Sequence, residues 1–434
     1  MATRAVVVFR GNDICFLGII RSLGKAGIPF STVSFTWPEA KPWYSEASRF
    51  FRRDFSISNP FTDADKALKQ LLAIGRHLIE VNGEKTLAIP SSDTNLMFLL
   101  DNEERLSDYF VTMGSQKLSS FRRDVAHKYQ CFELINAGGN DLAPHTQHCS
   151  RQEDIDAVVA NARYPVVYKP AVKDYGQSFY RKYDGLKAVA CEDEETLRRG
   201  LEECIAEGFD LIVQEKVFFR GVEEEIPFYA YVDGDFNIRM AATGIKELIQ
   251  PYPFGTANVL RLSWHPEVME KATRVVKALK WRGILMIEFI RDLKDDQLKV
   301  IEINVRPWLF IGFYERFGNN YLEMLYKDVT GHLPSGHDFV TPSAENLALP
   351  PYHVELIGAF DNFGETARNK IFTDIRSLRL WLESFGHGLT STYYDHDDPE
   401  PAKWYLSDLA ERTGLPFGEL LALHESQLFR DTTR

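Results

Sequence analysis

The hydrophobic pattern opens with a short β-rich run, Arg4–Phe9, that ends in the polar turn Arg10-Gly11-Asn12-Asp13. From Ile14 to Ala26 apolar residues recur at helical spacing and stop at Gly27, a residue suited to the left-handed cap of a helix. Ile28–Phe35 reads as a second strand. Strand, helix and strand in this order predict a βαβ unit and a parallel sheet. The loop after the first strand is not GxGxxG, so a dinucleotide site is not indicated there. Thr36–Asp54 is aromatic and basic and reads as a loop on the sheet edge. Asp63–Val81 predicts a helix with Leu68, Leu71, Leu72 and Leu78 on its apolar side. Thr86–Ile89 predicts a strand running into the turn Pro90-Ser91-Ser92-Asp93, and the carboxyl ends of strands are where open α/β sheets bind ligands.

Further along, Phe121–Ala137 predicts a helix that carries Lys128 after His127 and closes at Gly138-Gly139. The run YPVVYKP is a strand with Lys169 at its end, followed by the polar loop Lys173–Tyr183, which is suited to closing over a ligand. Glu194–Ala206 predicts an amphipathic helix, and Asp210–Val213 a strand leading into Gln214-Glu215-Lys216-Val217. Three glutamates within Gly221–Glu225 precede the strand Pro227–Val232 and the turn Gly234-Asp235. Between that turn and the helix Pro266–Lys280, the pattern marks only a loop at Pro251–Gly255.

The stretch Gly283–Trp308 holds two apolar runs, Ile284–Ile290 and Leu298–Val305, around the polar segment Asp292–Gln297, the mark of a β-hairpin. A hairpin symmetric about Asp295 puts Glu288 opposite Glu302, with Asn304 and Arg306 sharing the parity of Glu302. Opposed side chains on one sheet face have Cβ atoms about 5 Å apart, and like charges there repel. Two carboxylates in an otherwise apolar hairpin therefore ask for a cation. Carboxylate and amide oxygens without nearby Cys or His favour a hard ion, Mg²⁺ first. Downstream, Tyr321–Val329 predicts a helix, and the tail offers a strand (Val354–Phe360), a helix (Ile375–Ser384), an aromatic strand (Leu389–Tyr394) and two short helices. The cluster Asp395-His396-Asp397-Asp398 reads as a structural turn.

Length and charge narrow the class. The 434 residues suffice for several domains, and a net charge of −12 argues against sequence-independent nucleic-acid binding. Five cysteines without a CxxC pair read as free thiols of a reducing compartment. The absence of an apolar run near membrane-spanning length, and of a leader pattern, points to a soluble cytoplasmic protein without a membrane partner. A homodimer is the default assembly.

Four elements in this order (Lys128 on a helix, YPVVYKP, LIVQEKV and a hairpin ending in IEINVR) resemble the ATP-grasp superfamily, over about residues 4–335. The opening RSLGKAGI, the turn PSSD and the tail stretch Asp397-Asp398-Pro399-Glu400-Pro401 are similar to carboxylate–amine ligases typified by D-aspartate ligase. The resemblance implies an α/β (α+β) ATP-grasp fold: a Rossmann-like N-terminal domain at 1–117, a lid subdomain at 118–213, a catalytic subdomain at 214–335 and a C-terminal α/β extension at 336–434. It implies ATP and one or two Mg²⁺ (or Mn²⁺) as cofactors. Lys128 and Lys169 would contact ATP phosphates, Gln214, Glu215 and Val217 would frame the adenine, and Glu225 would hold the ribose. Glu288, Glu302 and Asn304 would carry metal, and Arg306 would stabilise an acyl phosphate. The implied reaction joins a small carboxylate to an amine or amino acid and releases ADP and phosphate. Phosphoryl transfer of this kind needs alignment and charge neutralisation more than covalent help. The loop KDYGQSF is not glycine-rich, and His127 stands where an aspartate is common, as a structural residue. Arg10, Arg181 and Arg220 are candidates for reading an acidic substrate. Two other readings stay open. One is a carboxylase or phosphotransferase on the same fold, although no biotinyl MKM sequence is present. The other is a nucleotide-binding scaffold, which would have no use for Glu288, Glu302, Asn304 and Arg306 together.

Overall fold

The computed structural model describes residues 6–36, 43–60, 62–114, 122–137, 141–172, 178–221, 224–250, 256–333, 352–354, 374–385, 389–426 and 429. Three sheets organise them. The first is wholly parallel and contains β1 (Val6–Arg10), β2 (Ser31–Phe35), β3 (Phe55–Ile57), β4 (Thr86–Pro90) and β5 (Phe110–Val111) in the order β3-β2-β1-β4-β5. The second contains β6 (Thr146–Cys149), β7 (Val166–Pro170), β8 (Val189–Cys191) and β9 (Leu211–Glu215) in the order β6-β9-β7-β8. The third contains β10 (Glu225–Val232), β11 (Ile238–Gln250), β12 (Thr256–Ser263), β13 (Gly283–Asp292), β14 (Gln297–Asn304), β15 (Tyr352–Val354) and β16 (Thr390–Ser391). Its order is β14-β13-β10-β11-β12-β15-β16, so the hairpin forms one end and the tail supplies the other.

The expected βαβ opening is present, and local chemistry explains its helix. Asn12 accepts the Cys15 N–H at 3.0 Å to cap the helix Asp13–Lys25, and Gly27 turns out of it at φ +67°. This helix packs backbone to backbone on the short helix Ile311–Glu315 that follows the hairpin. A Cβ on Gly18 would stand 2.9 Å from the Gly312 nitrogen, so glycine there lets the first sheet's layer meet the third. One continuous apolar core lies beneath the first and third sheets, and a separate small core serves the second sheet alone, with Cys149, Val166, Tyr168, Leu201 and Leu211 among its members.

Some expectations need correction. The helix foreseen over Phe121–Ala137 is broken at His127, whose backbone is extended (φ −91°, ψ 115°), into Arg123–Ala126 and Lys128–Asn136. The break lets the Lys128 N–H donate to the Ala171 carbonyl at 2.8 Å. The 13-residue β11 and its partner β12 drew no assignment from the pattern, because Gly244, Lys246 and Glu247 interrupt its alternation. The aromatic strand foreseen at Leu389–Tyr394 shortens to Thr390–Ser391, and one tail helix, Glu400–Thr413, is long. The loop residues 173–177 and 251–255, the glycine pair 138–139 and residues 355–360 lie outside the described residues. All five cysteines are buried and free. Among the described residues no helix is long and apolar enough to cross a membrane.

Candidate active site

β13 and β14 pair antiparallel with Glu288 directly opposite Glu302 and Met286 opposite Asn304, as the symmetric hairpin predicts. The next pair is Phe289 with Val300, so a β-bulge at Ile301 displaces the turn half of the hairpin by one residue. The Ile301 carbonyl accepts a hydrogen bond from Lys169 Nζ at 2.9 Å. The irregular residue between the two glutamates is thus where the lysine of β7 reaches the hairpin.

Glu288 and Asn304 are buried and Glu302 is half-buried. A second lysine completes the cluster. Lys246, 5% exposed on β11, donates to Glu288 Oε1 at 3.0 Å and also to Glu225 Oε1. Burial raises the Glu225 carboxyl to about 7, with Lys246 opposing the rise and Glu288 adding to it. Burial pulls the Lys246 ammonium down, but Glu225 and Glu288 outweigh it and hold the ammonium above the ordinary lysine value. Burial lowers Lys169, against the pull of Glu302, Glu288 and Glu225. Glu225 therefore faces inward as a member of the charged cluster. Lys246 escaped the sequence reading. Its only signal is a lysine placed directly after the uncharged run Met240–Ile245.

The other predicted residues fall along the hairpin. Lys128 Nζ donates to the Pro170 carbonyl at 2.9 Å, which places it beside the end of the strand that carries Lys169. Gln214 is buried and turns its amide to Thr146 Oγ1 at 2.9 Å, while the Glu215 carboxylate meets Lys294 at 2.8 Å. Val217 is buried, and Phe218 exchanges hydrogen bonds with the hairpin turn: its N–H donates to Asp292 Oδ1 at 3.3 Å and its carbonyl accepts from Leu293 at 2.8 Å. Starting from the turn, the order is residues 214–218 beside Asp292–Leu293, Glu225 opposite Ile290, then Glu288 opposite Glu302, and Asn304. The four residues from Asp292 to Glu288 span about 13 Å at the rise of a strand, room for an extended ligand laid along the hairpin. Beyond Asn304, Arg306 makes a two-pronged pair with Asp93 (2.8 and 2.6 Å), so the PSSD turn of the first sheet aims the arginine of the third. Arg10 is paired with Glu46 at 2.6 Å and stacked on Trp43, and Arg220 lies exposed beside Glu224. Neither joins the cluster.

The donor set suits a hard divalent ion. Two facing carboxylates and an amide oxygen share one strand face, and a protein ammonium already bridges to Glu288 at the point where like charges would otherwise collide. The Asp395–Asp398 turn is structural, as expected. Asp398 is buried and accepts from Arg21 Nε at 2.8 Å and Ser48 Oγ at 2.6 Å, while Asp395 pairs with Lys25 at 2.7 Å.

No protein-family model and no curated relative matches the chain. Solved structures do. The biotin carboxylase domain of Hydrogenobacter thermophilus 2-oxoglutarate carboxylase, in complex with MgADP and bicarbonate, superposes with a TM-score of 0.55 at 18% identity, over 77% of this chain and 71% of that one. The Aspergillus clavatus carboxyaminoimidazole ribonucleotide synthase in complex with ATP gives 0.54 at 14% identity, over 78% and 80%. The ADP complex of Staphylococcus aureus N5-carboxyaminoimidazole synthetase gives 0.53 at 15%, over 78% and 80%. At these identities the likeness concerns the fold, which is the ATP-grasp fold.

Proposed function

We propose that the chain is an ATP- and Mg²⁺-dependent ligase that joins a small carboxylate to an amine through an acyl phosphate, releasing ADP and phosphate. The observation that carries this reading is buried Glu288 in register with half-buried Glu302 beside Asn304, with Lys169 and Lys246 converging on them. When bound, ATP supplies the phosphoryl group that makes a carboxylate electrophilic, and Mg²⁺ neutralises the charge of its phosphates. Glu288, Glu302 and Asn304 would hold the metal, and Lys128, Lys169 and Lys246 would orient the phosphates. Gln214, Glu215 and Val217 would frame the base, with Glu225 toward the ribose. Arg306, pre-aimed by Asp93, would steady the oxyanion that develops on the carboxylate.

The stretches that resemble D-aspartate ligase also touch one another. Arg21 and Lys25 of RSLGKAGI bind Asp398 and Asp395 of the tail, and Asp93 of PSSD binds Arg306. The stretches that carry the resemblance thus hold one another in place. A second reading, in which bicarbonate is the carboxylate and an amine is carboxylated, is favoured by the names and ligands of the structural neighbours. Both readings share a phosphorylated oxyanion and an amine acceptor, and differ in which oxyanion is phosphorylated.

ADP release, measured with pooled amines and either pooled amino-acid carboxylates or bicarbonate, separates them. The ligase reading expects amino-acid-dependent ADP and a hydroxamate when hydroxylamine replaces the amine. AMP as the stoichiometric product would overturn both.

A further inference from the structure

Outside the hairpin, a second group of ligand-type side chains converges. His127 Nε2 lies 3.2 Å from Asp210 Oδ2, and His148 Nε2 lies 2.5 Å from Asp210 Oδ1. One ligand atom from each residue lies within 4.8 Å of the other two. The three residues come from different elements: His127 from the break before the helix Lys128–Asn136, His148 from β6, and Asp210 from the residue leading into β9.

We propose that His127, His148 and Asp210 bind one divalent transition-metal ion, Zn²⁺ foremost, independently of the Mg²⁺ assigned to the hairpin. Two neutral imidazoles and a carboxylate are a donor set for borderline ions and a poor one for Mg²⁺. Bonds of about 2.0–2.1 Å to a tetrahedral ion put its ligand atoms about 3.3 Å apart. The His127–Asp210 separation already meets this spacing, and the His148 contact, made to the other carboxylate oxygen, would have to lengthen as both rings turned to a single ion. His127 Nδ1 is buried without a partner among the described residues, so the ring's polar engagement runs through Nε2. Three protein ligands leave a fourth position. Of the three, His148 also lines a cavity of about 530 Å³ with Glu133, Asn136, Gln147 and Asp154.

The ion would act as a clamp on the lid's attachment. The Lys128 N–H donates to the Ala171 carbonyl and the Ala171 N–H to the Asp210 carbonyl, each at 2.8 Å. A metal on His127 and Asp210 would fix both ends of this chain, and with it the residue next to each ligand, Lys128 included.

The test titrates Co²⁺ and then Zn²⁺ into the full chain without nucleotide, reading the visible absorption of bound cobalt, its displacement by zinc, and thermal melting. One cobalt per chain is expected, with displacement by zinc and a raised melting temperature. His148→Gln and Asp210→Asn should each weaken binding by roughly a hundredfold or more, because losing an outer-shell partner alone costs 10–100-fold. Glu302→Gln should leave cobalt binding unchanged. Absence of a stoichiometric site, or binding that survives both His148→Gln and Asp210→Asn, would overturn the proposal. Neither outcome touches the ligase reading, since no ATP chemistry enters the assay.

Discussion

The hairpin and the four-stranded sheet meet at a few polar contacts, Lys169 to Ile301 among them, yet they rest largely on different foundations. The hairpin is continuous with the main core: Ile287, Phe289, Leu298 and Val300 are fully buried beneath its charged residues. The four-stranded sheet has a core of its own and reaches the hairpin through polar links such as Lys169–Ile301, Lys294–Glu215 and Leu293–Phe218. The carboxylates therefore stand on a surface fixed by packing, while the lysine arrives on a sheet that packs mostly on its own core and joins the main one through Ile212. Under the proposed function, a site divided in this way would keep metal geometry apart from nucleotide entry.

Three substitutions can break or sharpen this division. Glu302→Gln should have the largest effect, a loss of activity of about a thousandfold or more, because an ion that neutralises transition-state charge is worth several kcal/mol. Melting temperature in metal-free buffer should hold or rise, and stabilisation by Mg-ADP should be smaller than in wild type. Equal stabilisation of both proteins by Mg-ADP would remove the metal from the hairpin. Lys246→Met comes next. It strands Glu225 and Glu288 without their shared cation, and unpairing a buried charge costs about 3–5 kcal/mol. Burial already raises the Glu225 carboxyl, and without Lys246 to oppose the rise it binds its proton still more tightly in the folded than in the unfolded state. That contribution favours the fold at low pH and is lost as pH rises through its raised value, so the deficit should be small near about pH 5 and large at about pH 8. Urea unfolding at the two pH values checks this, and a pH-independent deficit would mean that packing rather than charge holds Lys246. Lys169→Ala should be mildest, weakening ATP binding by about ten- to hundredfold, or about 1.4–2.8 kcal/mol, with the melting temperature nearly unchanged. Calorimetry measures the affinity, and a collapse of the fold would show that the second sheet does not rest mostly on its own core.

The same division explains what could be read from the chain. The Glu288–Glu302 pairing was legible because an apolar hairpin broadcasts its parity, although the turn-side pairs are offset by one residue and the bulge at Ile301 restores the register that sets Glu288 opposite Glu302. Lys169 was legible as a cation at a strand end. Lys246 was not, since a buried lysine in the middle of a strand breaks the alternation by which the strand would be recognised. The break at His127 was likewise hidden. It is set by the distant partners Ala171 and Asp210, while the local pattern stays helical throughout. Arg306 was found by parity, but its orientation comes from Asp93, more than two hundred positions earlier in the chain.

The order of the third sheet carries a practical consequence for anyone cutting the chain. Tail strands β15 and β16 lie against β12, at the opposite margin from the carboxylate hairpin. A fragment trimmed back to the nucleotide-handling portion would bare the ladder of β12, a row of unpaired amides and carbonyls beside a hydrophobic face. It would also strand Arg21, whose guanidinium is held by Asp398 and the tail carbonyls of Thr392 and Tyr393. Such a fragment should clump before it can be assayed, which makes the tail a built-in chaperone of solubility for the part that does the chemistry.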